Sequence, residues 1–312
     1  MSISGFNRRH FLQLSAGSAL SITSPTTLMA QQTMMRRTIP SSGETIPVIG
    51  LGTSDEFERN TSENLDDLKA VLNTLLDSGA NMVDTAPTYG NSESVLGKLF
   101  SEMNISQQLF IATKISLRRV MFNTKQAGME QMIESAKVMG KSPLELVYVH
   151  NLNDLDTQWQ NLQEWKAAGK VKYIGVTISN YRNFDEMEAF LRKANGVDFM
   201  QINYSLIEPR ADDVLIPLAR DKGAAIVTNR PFGNGGYFRR VRGKTLPEWA
   251  KEFDCESWAQ FTLKWILGNP DITCAIPATS NARHMLDNAK AGYGELPDPS
   301  ERRRMLEVMQ SI

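Results

Sequence analysis

Four side chains in this sequence carry complementary acid, base and charge chemistry, and each closes or follows a short apolar run. Asp84 ends the run from Asn81, Tyr89 lies five residues on, Lys114 ends the run from Leu109, and His150 follows Leu146 to Val149. A carboxylate, a phenol, an ammonium and an imidazole suit the reduction of a carbonyl. A hydride arriving at carbon leaves negative charge on oxygen, so a proton donor must wait there. A free phenol ionises near pH 10, and a nearby cation lowers that value. Lys114 is the candidate cation, Asp84 the group that keeps it charged and oriented, and neutral His150 the donor that fixes the carbonyl angle. Singly, each residue reads as packing, capping or solvated charge; together, at the ends of three successive strands, they point to a catalytic centre.

For these residues to meet, the runs before them must be neighbouring strands with a common direction. Short β-branched runs alternate with segments of helical period along the chain. Strands are expected at 48–52, 81–84, 109–114, 146–149, 173–176, 199–203, 225–229 and 273–277. Helices are expected near 63–77, 92–102, 123–139, 155–168, 184–193, 213–221, 256–267 and 282–289. Strands separated by helices pair in parallel through right-handed crossovers, and eight such units favour a (β/α)8 TIM barrel over an open doubly wound sheet. Gly50-Leu51-Gly52-Thr53-Ser54 lacks the third glycine and the helix start of a Rossmann fingerprint, which removes the best support for the open sheet. In a barrel the chemistry sits at the carboxyl ends of the strands, where all four residues fall.

The composition excludes several other functions. A formal charge of −1 over 312 residues offers no electrostatic footprint for nucleic acid, and Cys255 and Cys274 cannot make a disulfide framework. With His10, His150 and His284 the only histidines, no metal centre is expected. Trp249, Trp258 and Trp265 with Phe261 read as packing around one helix, and Arg302-Arg303-Arg304, flanked by Glu301 and Glu307, as a solvated helix face. Residues 1–30 contain no Asp or Glu and carry Arg8-Arg9 ahead of the mildly apolar run Phe11 to Leu20. They read as a twin-arginine signal cleaved after Ala30, which makes the export machinery a partner and the bacterial periplasm the destination, with no stable membrane span after cleavage. The remainder, 31–312, is expected to be one domain because no linker interrupts it.

Beyond this chemistry, the sequence resembles the aldo-keto reductase family over nearly all of the chain after the signal. The resemblance is carried in family order by Gly50-Leu51-Gly52-Thr53, Asp84 to Gly90 with Glu93 and Leu96-Gly97, and Thr113-Lys114. It continues through Val149-His150, Ile174-Gly175-Val176, Gln201-Ile202-Asn203-Tyr204 and Ile276-Pro277 to Asp287-Asn288. It implies a catalytic tetrad of Asp84, Tyr89, Lys114 and His150, a small carbonyl substrate, and a nicotinamide dinucleotide lying across the barrel mouth near Gly52 and Thr53. It further implies that Gln201 holds the nicotinamide amide together with either Thr177 or, with a two-residue insertion, Ser179 and Asn180. Where the family often stacks an aromatic ring on the nicotinamide, this chain has Asn229, followed by Arg230, Pro231, Phe232 and Gly233 in a glycine-rich loop. The adenosine end is implied to fall on Thr279, Ser280, Asn281, Arg283, His284, Asp287 and Asn288. NADPH is the expected cofactor and NADH its alternative, because Ala278 and His284 stand where a lysine and an arginine are common. The competing function is a nucleotide-holding binding or regulatory subunit with little turnover.

Overall fold

The computed structural model describes residues 33–58, 65–117 and 122–312. The expected signal, residues 1–30 with Arg8 and Arg9, lies outside the described residues. Ten strands occur among those described: β1 (Arg36–Thr38), β2 (Thr45–Pro47), β3 (Leu51–Gly52), β4 (Met82–Asp84), β5 (Phe110–Ile115), β6 (Leu144–His150), β7 (Val171–Thr177), β8 (Phe199–Asn203), β9 (Ala225–Asn229) and β10 (Cys274–Ala275). The helices are α1 (Leu65–Asp77), α2 (Ser92–Met103), α3 (Thr124–Val138), α4 (Leu155–Ala167), α5 (Phe184–Lys193), α6 (Leu215–Asp221), α7 (Gly236–Val241), α8 (Trp258–Leu267), α9 (Ala282–Lys290) and α10 (Pro299–Ser311).

From β3 to β10 the strands pair in chain order, each parallel to the next. Bridges from Ile49 to Ala275 and from Gly52 to Ala278 bring the last strand back to the first, so the sheet curls into the expected barrel. The Gly-x-Gly motif belongs to this closing seam. A Cβ on Gly50 would sit 3.0 Å from the Met82 carbonyl, and one on Gly52 would sit 2.9 Å from that of Ile276. The expected first strand is correspondingly short, because residues 48–50 bend along the seam and only Leu51–Gly52 keeps a continuous ladder.

Alternation along each strand splits the apolar residues between two cores. Val83, Ile111, Val147, Val149 and Ile202 face outward to the helices, while Met82, Ala112, Leu146, Tyr148, Phe199 and Val227 fill the barrel. Ile39 and Ile46, from either side of the β1–β2 hairpin turn, join the inner set and close the barrel at its amino-terminal end. The three-residue strands of this hairpin are too short to show a period, and α7 too short to show a helical one. Amphipathic periodicity does survive in α1, where Leu65, Leu68, Val71, Leu72 and Leu75 face the sheet.

Trp265 and Phe261 are fully buried and Trp249 and Trp258 pack on the core, as the helical spacing suggests. The arginine run differs from expectation. Arg302 turns inward, donating to the Trp265 carbonyl at 3.0 Å and to the Tyr204 hydroxyl, and only Arg303 and Arg304 keep an exposed face. Local flanking acids could not reveal partners that lie 37 and 98 residues away.

Gly97 shows how closely the shell packs. A Cβ there would come 1.9 Å from the Val138 carbonyl at the end of α3. Gly97→Ala is therefore expected to destabilise the fold by about 2 kcal/mol, overpacking outweighing a helix-propensity gain of about 1 kcal/mol. A thermal melt checks this, and an unchanged or raised Tm contradicts it.

Candidate active site

The parity that fills the barrel also builds the site. On β4, Met82 points inward and so does Asp84; on β5, Phe110 and Ala112 are followed by Lys114; on β6, Leu146 and Tyr148 by His150. Continuing the same rows, Thr177 tops β7, Gln201 sits on β8 and Asn229 on β9. One polar layer thus forms at the carboxyl ends of six adjacent strands.

At its centre Lys114 Nζ donates to Asp84 Oδ2 at 2.6 Å and to the Thr85 carbonyl at 2.8 Å, with both side chains almost wholly buried. Tyr89 is carried on the turn between β4 and α2, its N–H bonded to the Ala86 carbonyl at 3.0 Å and its own carbonyl accepting from Ser92 at 2.9 Å. The Lys114 ammonium lies 4.9 Å from the centre of the Tyr89 ring, and His150 meets that ring edge-on at 5.9 Å. The Ser116 hydroxyl contacts His150 Nδ1, and Thr88 Oγ1 lies 3.5 Å from the same atom. Behind this group Glu93 accepts from Thr113 Oγ1 at 2.5 Å and from Ser135 Oγ at 2.9 Å. The four residues are therefore brought together.

Their electrostatics differ from expectation in one respect. Lys114 does pull the phenol downward, but burial of Tyr89 is the larger influence and holds it above its ordinary value. Asp84 adds a smaller upward push of its own, so the expected net lowering does not appear. Burial opposes the charge on Lys114 itself, yet Asp84 and Tyr89 together raise its affinity for a proton. Tyr89 is accordingly a protonated acid and Lys114 a fixed cation at neutral pH.

Gln201 and Thr177 lie beneath the surface of the layer. Gln201 Nε2 donates to Asp84 Oδ1 at 2.7 Å, while its Oε1 accepts from Thr177 Oγ1 at 2.9 Å and from Asn229 Nδ2 at 3.3 Å. Ser179 reaches the cleft and donates to Asn151 Oδ1 at 3.0 Å, whereas Asn180 caps the following turn by accepting from the Arg182 N–H. Asn229 Nδ2 also donates to the Ile178 carbonyl at 2.9 Å; its buried Oδ1 has no partner.

Above the layer opens a cleft of about 570 Å³. It is lined by Gly52, Thr53, Asp84, Tyr89, His150, Ser179 and Asn229, and by Arg230, Pro231 and Phe232 from the loop after β9. Gly233 stays outside the lining, its left-handed φ of +50° packed toward Ile207. At the far end the lining stops at Ala278. Thr279 Oγ1 accepts from the Asn281 N–H, and Asn281 Oδ1 caps α9 by accepting from Arg283 and His284 N–H at 2.9 and 3.4 Å. Arg283 and His284 are exposed on the first turn of α9, and Asn288 is buried. Asp287 ties α9 to α8, accepting from Ser257 Oγ at 2.7 Å and Gln260 Nε2 at 2.6 Å.

Residues 48–303 match the model of the aldo/keto reductase family. The chain belongs to that family. It is 26% identical over 274 residues to an uncharacterized oxidoreductase, YrpG, of Bacillus subtilis (strain 168), a match covering 71% of this chain and 80% of that one. Aldo-keto reductase AKR2E4 of Bombyx mori is 24% identical over 277 residues, covering 80% and 84% of the two chains. Among solved structures, an aldo-keto reductase from Klebsiella pneumoniae in complex with NADPH superposes with a TM-score of 0.72 at 19% identity, over 89% of this chain and 95% of that one.

As an aldo/keto reductase the protein is an oxidoreductase, and beside the four residues and in the cleft stand others that sequence reasoning passed over. Ser116 continues the inward row of Lys114 by one step of two, a signal that was available. Asp55, Glu56 and Glu58 leave β3 at the carboxyl end and join the lining, as does Asn234. Three acids within four residues, placed directly after a barrel strand, was the visible sign of that first group.

Proposed function

We propose that the protein reduces an aldehyde or ketone, taking hydride from NADPH, with Tyr89 as the proton donor. The observation that carries this reading is the meeting of Asp84, Lys114, Tyr89 and His150 at the floor of one cleft. The residues present fit a nicotinamide nucleotide: the unpartnered Asn229 Oδ1 is an acceptor awaiting an N–H donor such as a carboxamide, and Arg230 beside it offers a cation to a pyrophosphate. When bound, the reduced nicotinamide supplies the hydride for the carbonyl carbon. The phenol of Tyr89 transfers its proton to the carbonyl oxygen, His150 donates a hydrogen bond that orients that oxygen, and Lys114 stabilises the phenolate left behind. Asp84 keeps Lys114 in place, and Gln201 in turn holds the second oxygen of Asp84. Thr279, Ser280, Arg283 and His284 support NADPH over NADH by tens-fold. Single-turnover assays with preloaded NADPH and a panel of small carbonyls test the reaction. Oxidation of the nucleotide by at least one carbonyl is expected, whereas tight binding without turnover on any would favour a nucleotide-holding regulatory subunit.

The acid-free amino terminus with Arg8-Arg9 supports export by the twin-arginine route to the periplasm, with cleavage after Ala30. Replacing both arginines by lysine keeps the charge but removes the planar guanidinium pair. Cell fractionation should then find unprocessed protein in the cytoplasm; normal periplasmic accumulation would refute this route.

A further inference from the structure

The turn that leaves β3 is held at several points. Phe57 is fully buried and its N–H bonds to the Thr53 carbonyl at 3.0 Å. Asp55 adopts a left-handed φ of +65°, and its N–H donates to Glu58 Oε1 at 3.0 Å. The Glu58 carbonyl accepts from the Asn91 N–H at 3.5 Å. Glu56 is thereby presented, half-buried, from a fixed turn in the cleft wall. Its Oε2 accepts a hydrogen bond from the Ser280 hydroxyl, which lies 224 residues further along the chain.

Ser280 belongs to the short stretch before α9 to which the proposed function assigns the preference for NADPH, whose adenosine ribose carries a 2′-phosphate that NADH lacks. A carboxylate already holds that hydroxyl, and the partner it has taken there is neutral. A phosphate monoester carrying close to two negative charges would compete for the same donor and be repelled by the same carboxylate. NADH bears only a hydroxyl at that position and meets neither cost. Arg283 and His284, exposed on the first turn of α9, would attract the phosphate against that repulsion.

We propose that Glu56 is a specificity-determining residue of this reductase: by holding Ser280 and placing its charge at the adenosine end, it keeps the preference for NADPH over NADH small. This rests on the nicotinamide nucleotide reading above. The choice of nucleotide is then a balance between Glu56 on the β3 turn and the two basic residues of α9.

The test measures dissociation constants for NADPH and NADH by quenching of intrinsic tryptophan fluorescence, without carbonyl present, at one ionic strength. Glu56→Gln keeps an acceptor for Ser280 and removes the charge. It should tighten NADPH about tenfold and leave NADH within about twofold, a selective gain that a general loosening of the turn would not produce. Ser280→Ala removes the hydroxyl while leaving the charge, and should give no gain for NADPH. An unchanged or weakened NADPH constant in Glu56→Gln, or an equal change for both nucleotides, overturns the role of Glu56 while leaving the proposed reaction standing. A tenfold gain in Ser280→Ala overturns it as well. Failure of the wild-type protein to bind either nucleotide overturns both this inference and the function on which it rests.

Discussion

Tyr89→Phe should bind nucleotide as tightly as the wild type and reduce carbonyls roughly a hundred- to ten-thousand-fold more slowly, the range a positioned general acid contributes. The substitution removes one oxygen and little else. The ring keeps its edge-on contact with His150 and its place beside the Lys114 ammonium, so the cleft keeps its shape. The loss should fall on kcat, because the missing proton transfer is an interaction of the transition state. Burial already holds the phenol above its ordinary value, so at neutral pH the wild type carries its proton in essentially every molecule. Pre-steady-state reduction with a fluorescence titration alongside separates the two effects. Turnover within about tenfold of the wild type would move the acid role to His150.

The second large effect is on stability. Lys114→Met strands the Asp84 carboxylate inside the barrel with Gln201 as its remaining side-chain donor, and removing one partner of a buried ion pair costs about 3–5 kcal/mol. Adding Asp84→Asn to Lys114→Met removes the stranded charge and should recover most of the lost stability without recovering activity. Urea unfolding of the single and double variants decides this; a double variant no more stable than the single would place the cost in lost packing of the lysine stem instead.

Most of the barrel and three of the four residues at the site's floor were legible in the sequence for one reason. From β4 to β9 each strand is a run whose inward row meets a polar residue at its carboxyl end, and a period of two can be read where the run holds five or six residues. Asp84, Lys114 and His150 are the terminal members of such rows. Features that depend on contact between distant segments were not legible in this way. The β1–β2 hairpin is too short to display periodicity, and its role appears only when Ile39 and Ile46 are found among residues from β4 to β10. Arg302 looked solvated because its near neighbours are charged, while its partners come from α8 and the residue after β8. Gln201 was expected to hold the nicotinamide amide, and its hydrogen bonds to Asp84, Thr177 and Asn229 on three other strands could not be read from its neighbours in sequence. The Glu56–Ser280 contact joins two loops that nothing in local composition connects.

The seam that closes the barrel also sets a timetable for its synthesis. Residues Ile49 to Gly52 are among the first of the sheet to leave the ribosome, and their partners Ala275 and Ala278 are among the last. At roughly 5–20 residues per second, the interval between them is roughly ten to forty-five seconds. Throughout it β3 can have no neighbour other than β4, so its other side stays open, with Gly50 and Gly52 offering no side chain to cover the exposed backbone. A nascent chain in that condition is a partly built sheet with a free edge, and that edge is where a holding chaperone would bind and where two growing chains would first adhere.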